Sequence, residues 1–204
     1  MKVIKSIDEM LQNFIQTFFV KYKYENRGLM KKFRIDSRLN LELDEEKWCE
    51  CFLFKACLNR CAQIIIMRIL EDRGLIYSKM NRSGIEKWKQ LVQNLGSSYH
   101  LLFDIGQQDL VADENKKINS IFRKSDYDIF VVDGELANIV IHYSADLNLS
   151  DISQEELIGI LRKIYSLEQR EEWKLEEFYK EAPALTYLLS IEKEDFTFWN
   201  RIKG

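Results

Sequence analysis

Three charged residues near the middle of the chain have the types that metal-dependent nucleases use. Asp109, Glu114 and Lys116 form an Asp-x4-Glu-x-Lys string. In such enzymes the carboxylates hold a divalent ion and the lysine helps to orient the attacking water. That chemistry needs the residues on adjacent strands, whereas this string lies in a stretch without alternating apolar residues, and short charged motifs often match by chance. A metal-dependent nuclease is therefore kept only as a remote alternative.

No other pattern predicts a catalytic or metal site. The sequence has no glycine-rich phosphate loop, nucleophile elbow or zinc-protease helix, and its two histidines, His100 and His142, are far apart. All four cysteines lie between Cys49 and Cys61 in a segment of helical character. Adjacent turns of one helix do not suit disulfides, so we expect free, buried thiols in a reducing cytoplasm. We predict no catalytic residue and no metal ligand in this chain.

A basic segment, Lys21 to Arg38, is the candidate site for DNA. Its cations far outnumber its two acids, Glu25 and Asp36, and aromatic residues are interleaved with them. Such a segment suits a phosphate backbone. The alternative is a solvated helix end, where the helix dipole favours cations. The predicted contacts to DNA phosphates are Lys21, Lys23, Arg27, Lys31, Lys32, Arg34 and Arg38.

Helices must position these groups. Apolar residues recur at three- and four-residue spacing after Ser6, which predicts a first helix with Ser6 as its N-cap, running to about residue 25. The acidic run from Asp44 to Glu46 starts a second helix that is apolar on most sides and therefore central to a bundle. Gly74 and Leu75 predict a Schellman-type end to that helix.

Cap residues predict further helices in the second half. Asp133 is expected to cap a helix over 134–143, and Ser153 a helix over 154–167 with Glu156 in the capping-box position. Helices are also expected over 85–95, 98–103, 168–179 and 185–191. We interpret 103–111 as a loop or short turn, 113–123 as undetermined, 125–128 as a turn and 129–132 as a β-like run without a partner.

Composition sets the fold class. One proline and eight glycines in 204 residues favour long helices and short connections. We predict an all-α multi-helix bundle of about seven to nine helices, forming one domain over 1–204. Its parts would be an N-terminal helix and basic segment (1–40), the bundle core (41–167) and an acidic helical region (168–204). No signal peptide or membrane-length apolar run is visible, so a cytoplasmic location without membrane association is expected.

Three strings carry a family resemblance. They are Ile64–Ile76, which contains Glu-Asp-Arg-Gly-Leu; Leu147–Tyr165, which contains Leu-Ile-Gly-Ile-Leu-Arg-Lys-Ile-Tyr; and Leu175–Pro183, which contains Glu-Phe-Tyr. Together they resemble the N-terminal helical region of adenine-N6 DNA methyltransferases of type IIG restriction–modification and of BREX- or DISARM-like phage-defence systems. The resemblance covers roughly residues 45–185.

The resemblance implies a module without the catalytic domain. In that family a Gly-x-Phe-Tyr-Thr-Pro string opens the methyltransferase domain and contributes to S-adenosylmethionine binding. Here only Phe178, Tyr179 and a displaced Pro183 remain of it, and no cofactor-binding strand or Pro-Pro-aromatic loop follows. The chain is thus expected to be non-catalytic, to bind no cofactor itself, and to pack against a methyltransferase domain or larger defence enzyme while contacting DNA backbone. S-adenosylmethionine would come only with that domain.

A protein-interaction or regulatory module without nucleic-acid binding is the main alternative. The C-terminal third is acidic, and its glutamates would suit a surface that faces a partner or repels DNA. Of the two readings we favour a solvated helix face. These residues are Glu168, Glu171, Glu172, Glu176, Glu177 and Glu181.

Overall fold

The structure, a computed structural model, describes residues 2–37, 43–164, 182–184 and 187. Over these ranges it consists of α-helices and two short 3-10 helices, Leu95–Ser97 and Asp126–Ile129, with no β-strand. The all-α fold class is therefore confirmed. The eight α-helices of the described ranges are α1 (Lys2–Tyr22), α2 (Arg27–Ser37), α3 (Glu45–Asp72), α4 (Arg82–Leu91), α5 (His100–Val111), α6 (Lys116–Phe122), α7 (Gly134–Ser144) and α8 (Gln154–Ile164).

Helix α3 is the centre of the bundle. Nearly every side chain from Trp48 to Glu71 is buried, in agreement with its apolar residues on most sides. Helices α1 and α2 and the second 3-10 helix pack against it, and α1 also contacts α7 and α8. None of the helices in these ranges has the length and apolar character needed to cross a bilayer.

Both predicted ends of α3 are confirmed. The Asp44 carboxylate accepts a hydrogen bond from the Lys47 amide at 2.9 Å, which satisfies one free amide of the first turn. At the other end Gly74 adopts φ +69°, a left-handed conformation that suits glycine. The Leu75 amide then donates to the Leu70 carbonyl at 2.9 Å, which is the long hydrogen bond of a Schellman motif.

The predicted caps of α7 and α8 are also confirmed. The Asp133 carboxylate accepts from the Leu136 amide at 3.1 Å. At α8 the Ser153 hydroxyl accepts from the Glu156 amide at 3.2 Å, and the Glu156 carboxylate accepts from the Ser153 amide at 2.9 Å. These reciprocal bonds form the capping box and fix where α8 begins.

The prediction for the N-terminal region was wrong in two respects. Helix α1 begins at Lys2 rather than after Ser6, because Val3 and Ile4 also pack against the core. The basic segment contains a helix of its own, α2, instead of a loop. Met30 is fully buried there and the Phe33 ring stacks on Phe52, so two apolar contacts hold a helix whose other residues are mostly polar.

Elements between α3 and α7 also differ from prediction. Helix α5 runs through 103–111, where the sequence predicts a loop, and α4 ends at Leu91 instead of residue 95. The apolar run 129–132 is not a strand: Ile129 is the last residue of a 3-10 helix, and 130–132 follow it. Gly106 lets α5 approach α3, because an added Cβ would lie 2.8 Å from the Met67 sulfur. Helices predicted over 168–179 and 185–191 lie outside the described residues, apart from residue 187.

Candidate functional site

A buried cluster of charges occupies the last turn of α3. Arg68 contacts Glu71 at 2.9 Å and Asp72 at 3.0 Å, and all three side chains are almost fully buried. Spacings of three and four residues place them on one face of the helix. We call Arg68, Glu71, Asp72 and Arg73 the α3 polar cluster. Buried charges are tolerated only when paired and hydrogen-bonded, so this cluster must have further partners.

Glu71 holds the loop that precedes α4. Its carboxylate accepts hydrogen bonds from the backbone amides of Lys79 at 2.8 Å, Met80 at 3.1 Å and Asn81 at 3.1 Å. Three consecutive amides on one carboxylate fix the path of this loop. Asn81 in turn caps α4 by accepting from the Gly84 amide at 2.9 Å. The start of α4 is thereby fixed to the end of α3.

The rest of the cluster holds the connection between α7 and α8. Arg68 donates to the carbonyls of Ser144 at 3.2 Å and Leu147 at 3.1 Å. The Asp72 carboxylate accepts from the Leu149 amide at 2.9 Å. Arg73 donates from Nε to the Ser150 carbonyl at 2.9 Å. The first two strings of the resemblance, 64–76 and 147–165, are thus joined through buried polar contacts.

A second buried arginine lies two turns earlier in α3. Arg60 pairs with Asp128 at 2.9 Å, and Nε donates to the Phe130 carbonyl at 3.0 Å. Its Nη1 group also donates to Gln63 at 2.8 Å. Burial lowers the pKa of the guanidinium, and Asp128 opposes that shift. These contacts anchor the second 3-10 helix against α3, which makes Arg60 a structural residue.

The basic segment is largely paired within the chain. Lys21 contacts Asp133 at 2.5 Å, Lys23 contacts Glu50 at 3.0 Å, and Lys31 contacts Glu45 at 3.1 Å. Arg34 donates to the Leu43 carbonyl. Lys32 is exposed on α2.

The two remaining predicted DNA contacts are Arg27 and Arg38. Arg27 is half-buried at the start of α2, and Arg38 lies outside the described residues. Among the part of the chain that is described, only Arg27 and Lys32 of the predicted DNA contacts have neither an ion pair nor a hydrogen bond within the chain. Three of the six described cations are therefore paired with carboxylates, and Arg34 contacts a neutral carbonyl.

The same region exposes apolar side chains. Val20 near the end of α1 is 79% exposed, Tyr24 in the following turn 68%, and Ile35 on α2 67%. Leu29 on α2 is exposed as well. Leu29, Lys32 and Ile35 follow one another at three-residue spacing and share one face of α2. Exposed apolar side chains grouped around a cation are typical of a protein contact with a polar rim. We call Val20, Tyr24, Leu29, Lys32 and Ile35 the α1–α2 surface.

The residues of the nuclease string are used differently. Asp109 lies on α5 and pairs with Lys79 at 2.8 Å, Glu114 lies in the next loop, and Lys116 begins α6. The adjacent strands that the chemistry needs do not occur in the described ranges. Within those ranges no group of three acidic, histidine or cysteine side chains is placed to hold a metal ion.

The remaining residues singled out in the sequence are the four cysteines and the remnant of the cofactor string. The four cysteines are buried and form no disulfide, and burial beside Cys61 holds the pKa of the Cys57 thiol well above its usual value. Pro183 is half-buried between two buried alanines. Phe178 and Tyr179 lie outside the described residues, so the remnant of the cofactor string has no structural account.

Sequence reasoning missed a groove between α4 and α7. Its volume is about 650 Å³, and its walls come from α1, α4, the segment before α5, and α7. His142 lies here as an exposed side chain, although its neighbour Ile139 suggests an apolar helix face. No local pattern connects these elements, because they are distant in sequence. We call this cavity the α4–α7 groove; its polar residues include Asn13, Arg82, Lys89, Tyr99, His142 and Tyr143.

Comparison with known proteins assigns no family. No family model, curated protein or solved structure matches this chain.

Proposed function

We propose that this chain is a non-catalytic helical module of a DNA-modification, restriction or phage-defence system, and that it packs against a methyltransferase domain or larger defence enzyme. The observation that carries this proposal is the α3 polar cluster. Two strings of the resemblance are far apart in sequence, yet Arg68, Asp72 and Arg73 join them through part-buried hydrogen bonds. Residues that carry a resemblance and also contact one another support a shared helical arrangement better than separate motifs do.

Under this proposal the methyl transfer belongs to the partner. The helical module would orient the partner and add contact surface, and S-adenosylmethionine would bind only to the methyltransferase domain. The α1–α2 surface supports such packing, because Val20, Tyr24 and Ile35 are exposed apolar side chains beside a cation. The partner surface is expected to have an apolar centre with acidic residues at its edge.

The packing is tested by co-purification. The full chain would be co-expressed with an adenine-N6 DNA methyltransferase of the family that the three strings resemble, and the complex isolated through a tag on the methyltransferase. The double variant Tyr24→Lys/Ile35→Lys should abolish co-purification, because it places charge in the apolar centre. The matched control Leu91→Lys changes an equally exposed apolar residue on α4 and should leave the complex intact. Methylation of DNA by the purified chain alone would overturn the proposal.

Contact with DNA backbone through the basic segment is the second part of this proposal. A phosphate would have to displace Asp133, Glu50 or Glu45 from Lys21, Lys23 or Lys31.

The balanced charge sets an upper limit on the salt dependence. With Arg27, Lys32 and Arg34 as the cations of the described segment that have no acidic partner there, the slope of log K against log salt for duplex DNA should be about −2.7. Fluorescence anisotropy with a labelled duplex measures this slope. The triple charge reversal of Lys31, Lys32 and Arg34 to glutamate should abolish binding, because it adds three acidic side chains to the segment, whereas Lys87→Glu on α4 should leave binding unchanged. A flat salt response, or binding unaffected by the reversals, would remove DNA contact by this segment.

A protein-interaction or regulatory module without nucleic-acid binding is the second candidate. It is favoured by the same α1–α2 surface together with the internal pairing of the basic residues. The two candidates differ in partner identity. Co-purification with a methyltransferase supports the first, and capture of a defined partner without methyltransferase activity supports the second.

A further inference from the structure

The α4–α7 groove combines aromatic, amide and cationic side chains around an apolar floor. Its floor contains Ile85 and Ile141, which are buried. Half-buried or exposed rings come from Tyr99, His142 and Tyr143. Rings that remain partly open to solvent beside cations provide the two contacts that nucleotides need, a stacking surface and a phosphate partner.

The rings of α7 are held in place by neighbouring side chains. His142 and Tyr143 meet edge to face, with their centroids 5.0 Å apart. The Asn13 amide donates to the Tyr143 hydroxyl at 3.2 Å, and the same amide group donates to the Glu9 carbonyl at 2.8 Å. The Tyr143 ring is thus fixed between α1 and α7, so a base stacking on it would meet a preorganised surface.

The cations lie along one side of α4. Lys89 is exposed, and it follows Arg82 by seven residues, which places the two on the same face of the helix and about 10 Å apart along its axis. Asp146 engages Nε of Arg82 at 2.5 Å and also its Nη2 group. The Nη1 group has no partner among the described residues. Both side chains of this ion pair are largely exposed, so a phosphate can reach Nη1 while Asp146 stays on Nε and Nη2.

We infer that the α4–α7 groove binds single-stranded nucleic acid, with bases against His142, Tyr143 and Tyr99 and phosphates near Arg82 and Lys89. The unpaired strand follows from the rings, because bases in a duplex are stacked on one another and do not present their faces to side chains. More than one nucleotide is expected, because the backbone positions of Arg82 and Lys89 are separated by about two turns of α4. This site is separate from the basic segment and does not depend on packing against a methyltransferase.

Fluorescence anisotropy with a labelled oligothymidylate strand tests this inference on the full chain. Wild type should bind, and binding should weaken as salt rises from about 50 to 200 mM. His142→Ala should weaken binding by about fivefold or more, since stacking on one ring contributes about that much or more. Lys89→Glu should weaken binding further and reduce the salt dependence. The matched control Lys87→Glu changes the same charge on the same helix, at an exposed position that does not line the groove, and should leave binding unchanged.

Two further arms make the outcome decisive. His142, Lys87 and Lys89 are exposed, so circular dichroism should show all three variants folded. Competition with free thymidylate distinguishes a strand from a mononucleotide. Absence of binding to the strand, equal losses for Lys87→Glu and Lys89→Glu, or competition by the mononucleotide as strong as by the strand would each overturn the inference. None of these results bears on co-purification with a methyltransferase, so the two proposals fail separately.

Discussion

Replacing Glu71 with glutamine tests whether the α3 polar cluster holds the bundle together. The substitution keeps the size of the side chain but turns one acceptor oxygen into an NH₂ donor and removes the charge. Glu71 accepts from the amides of Lys79, Met80 and Asn81 and from Arg68. Whichever way the new amide turns, its NH₂ group faces a buried donor. That donor is the Lys79 amide on one side, or the Asn81 amide and Arg68 on the other.

The expected cost follows from these contacts. In the orientation that costs less, one charge-assisted hydrogen bond is lost and the Lys79 amide loses its acceptor, which together lower the free energy of unfolding by about 2 to 4 kcal/mol. Domains of this kind have total stabilities of about 5 to 15 kcal/mol, so the loss is a large fraction. With a urea dependence of about 2 kcal/mol per molar, the unfolding midpoint should fall by roughly 1 to 2 M.

Urea unfolding followed by far-ultraviolet circular dichroism measures this change. Glu114→Gln is the matched control, because Glu114 is exposed in the loop before α6 and should change stability by less than about 0.5 kcal/mol. If Glu71→Gln lost no more stability than Glu114→Gln, the loop at 79–81 would not depend on the carboxylate. The α3 polar cluster would then not be what fixes the start of α4 to the end of α3.

Three other outcomes follow from the structure. Gly84→Ala should destabilise the protein by about 1 to 3 kcal/mol in thermal or urea unfolding, because its Cβ would lie 2.5 Å from backbone atoms of Ser78 and Lys79. Gly28→Ala should instead stabilise it by up to about 1 kcal/mol, since nothing lies within 4 Å of the new Cβ in α2; a loss there would contradict the assignment of this helix. Burial raises the pKa of Tyr22 from 10.0 to about 12, and its hydroxyl donates to the Val131 carbonyl at 2.7 Å. The folded state therefore keeps this proton longer than the unfolded state does, and the stability present below pH 10 is lost as pH rises toward 12. In Tyr22→Phe that loss should be smaller, and an unchanged pH dependence would contradict the assignment.

Local signals predicted the fold where a few adjacent residues decide the conformation. Asp44, Gly74, Asp133 and Ser153 were assigned correctly because caps and stops depend on side chains within a few positions. Helix α2 was missed because Met30 and Phe33 are too few to show a periodic pattern among basic residues.

Predictions failed where distant residues decide the outcome. Helix α5 was cut short because its burial depends on the approach to Met67 at Gly106, which the sequence does not reveal. The contacts of the candidate site were harder to predict than the helices. Arg60 and Asp128 are 68 positions apart, and the partners of Arg68 and Asp72 in the segment that follows α7 are more than 70 positions away. Only the structure shows that the buried charges of α3 have hydrogen-bonding partners in distant parts of the chain.

The way Glu71 and Asp72 hold backbone amides has a consequence for hydrogen exchange. The amides of Lys79, Met80 and Leu149 lie in connecting segments, where exchange with solvent is normally fast. In this protein each of these amides donates to a buried carboxylate of α3. Exchange with deuterium therefore requires that the loop move away from α3 and break this hydrogen bond. These loop amides should exchange as slowly as those of the α3 core. Slow exchange in a loop would show that the loop unfolds together with α3, as part of one cooperative unit.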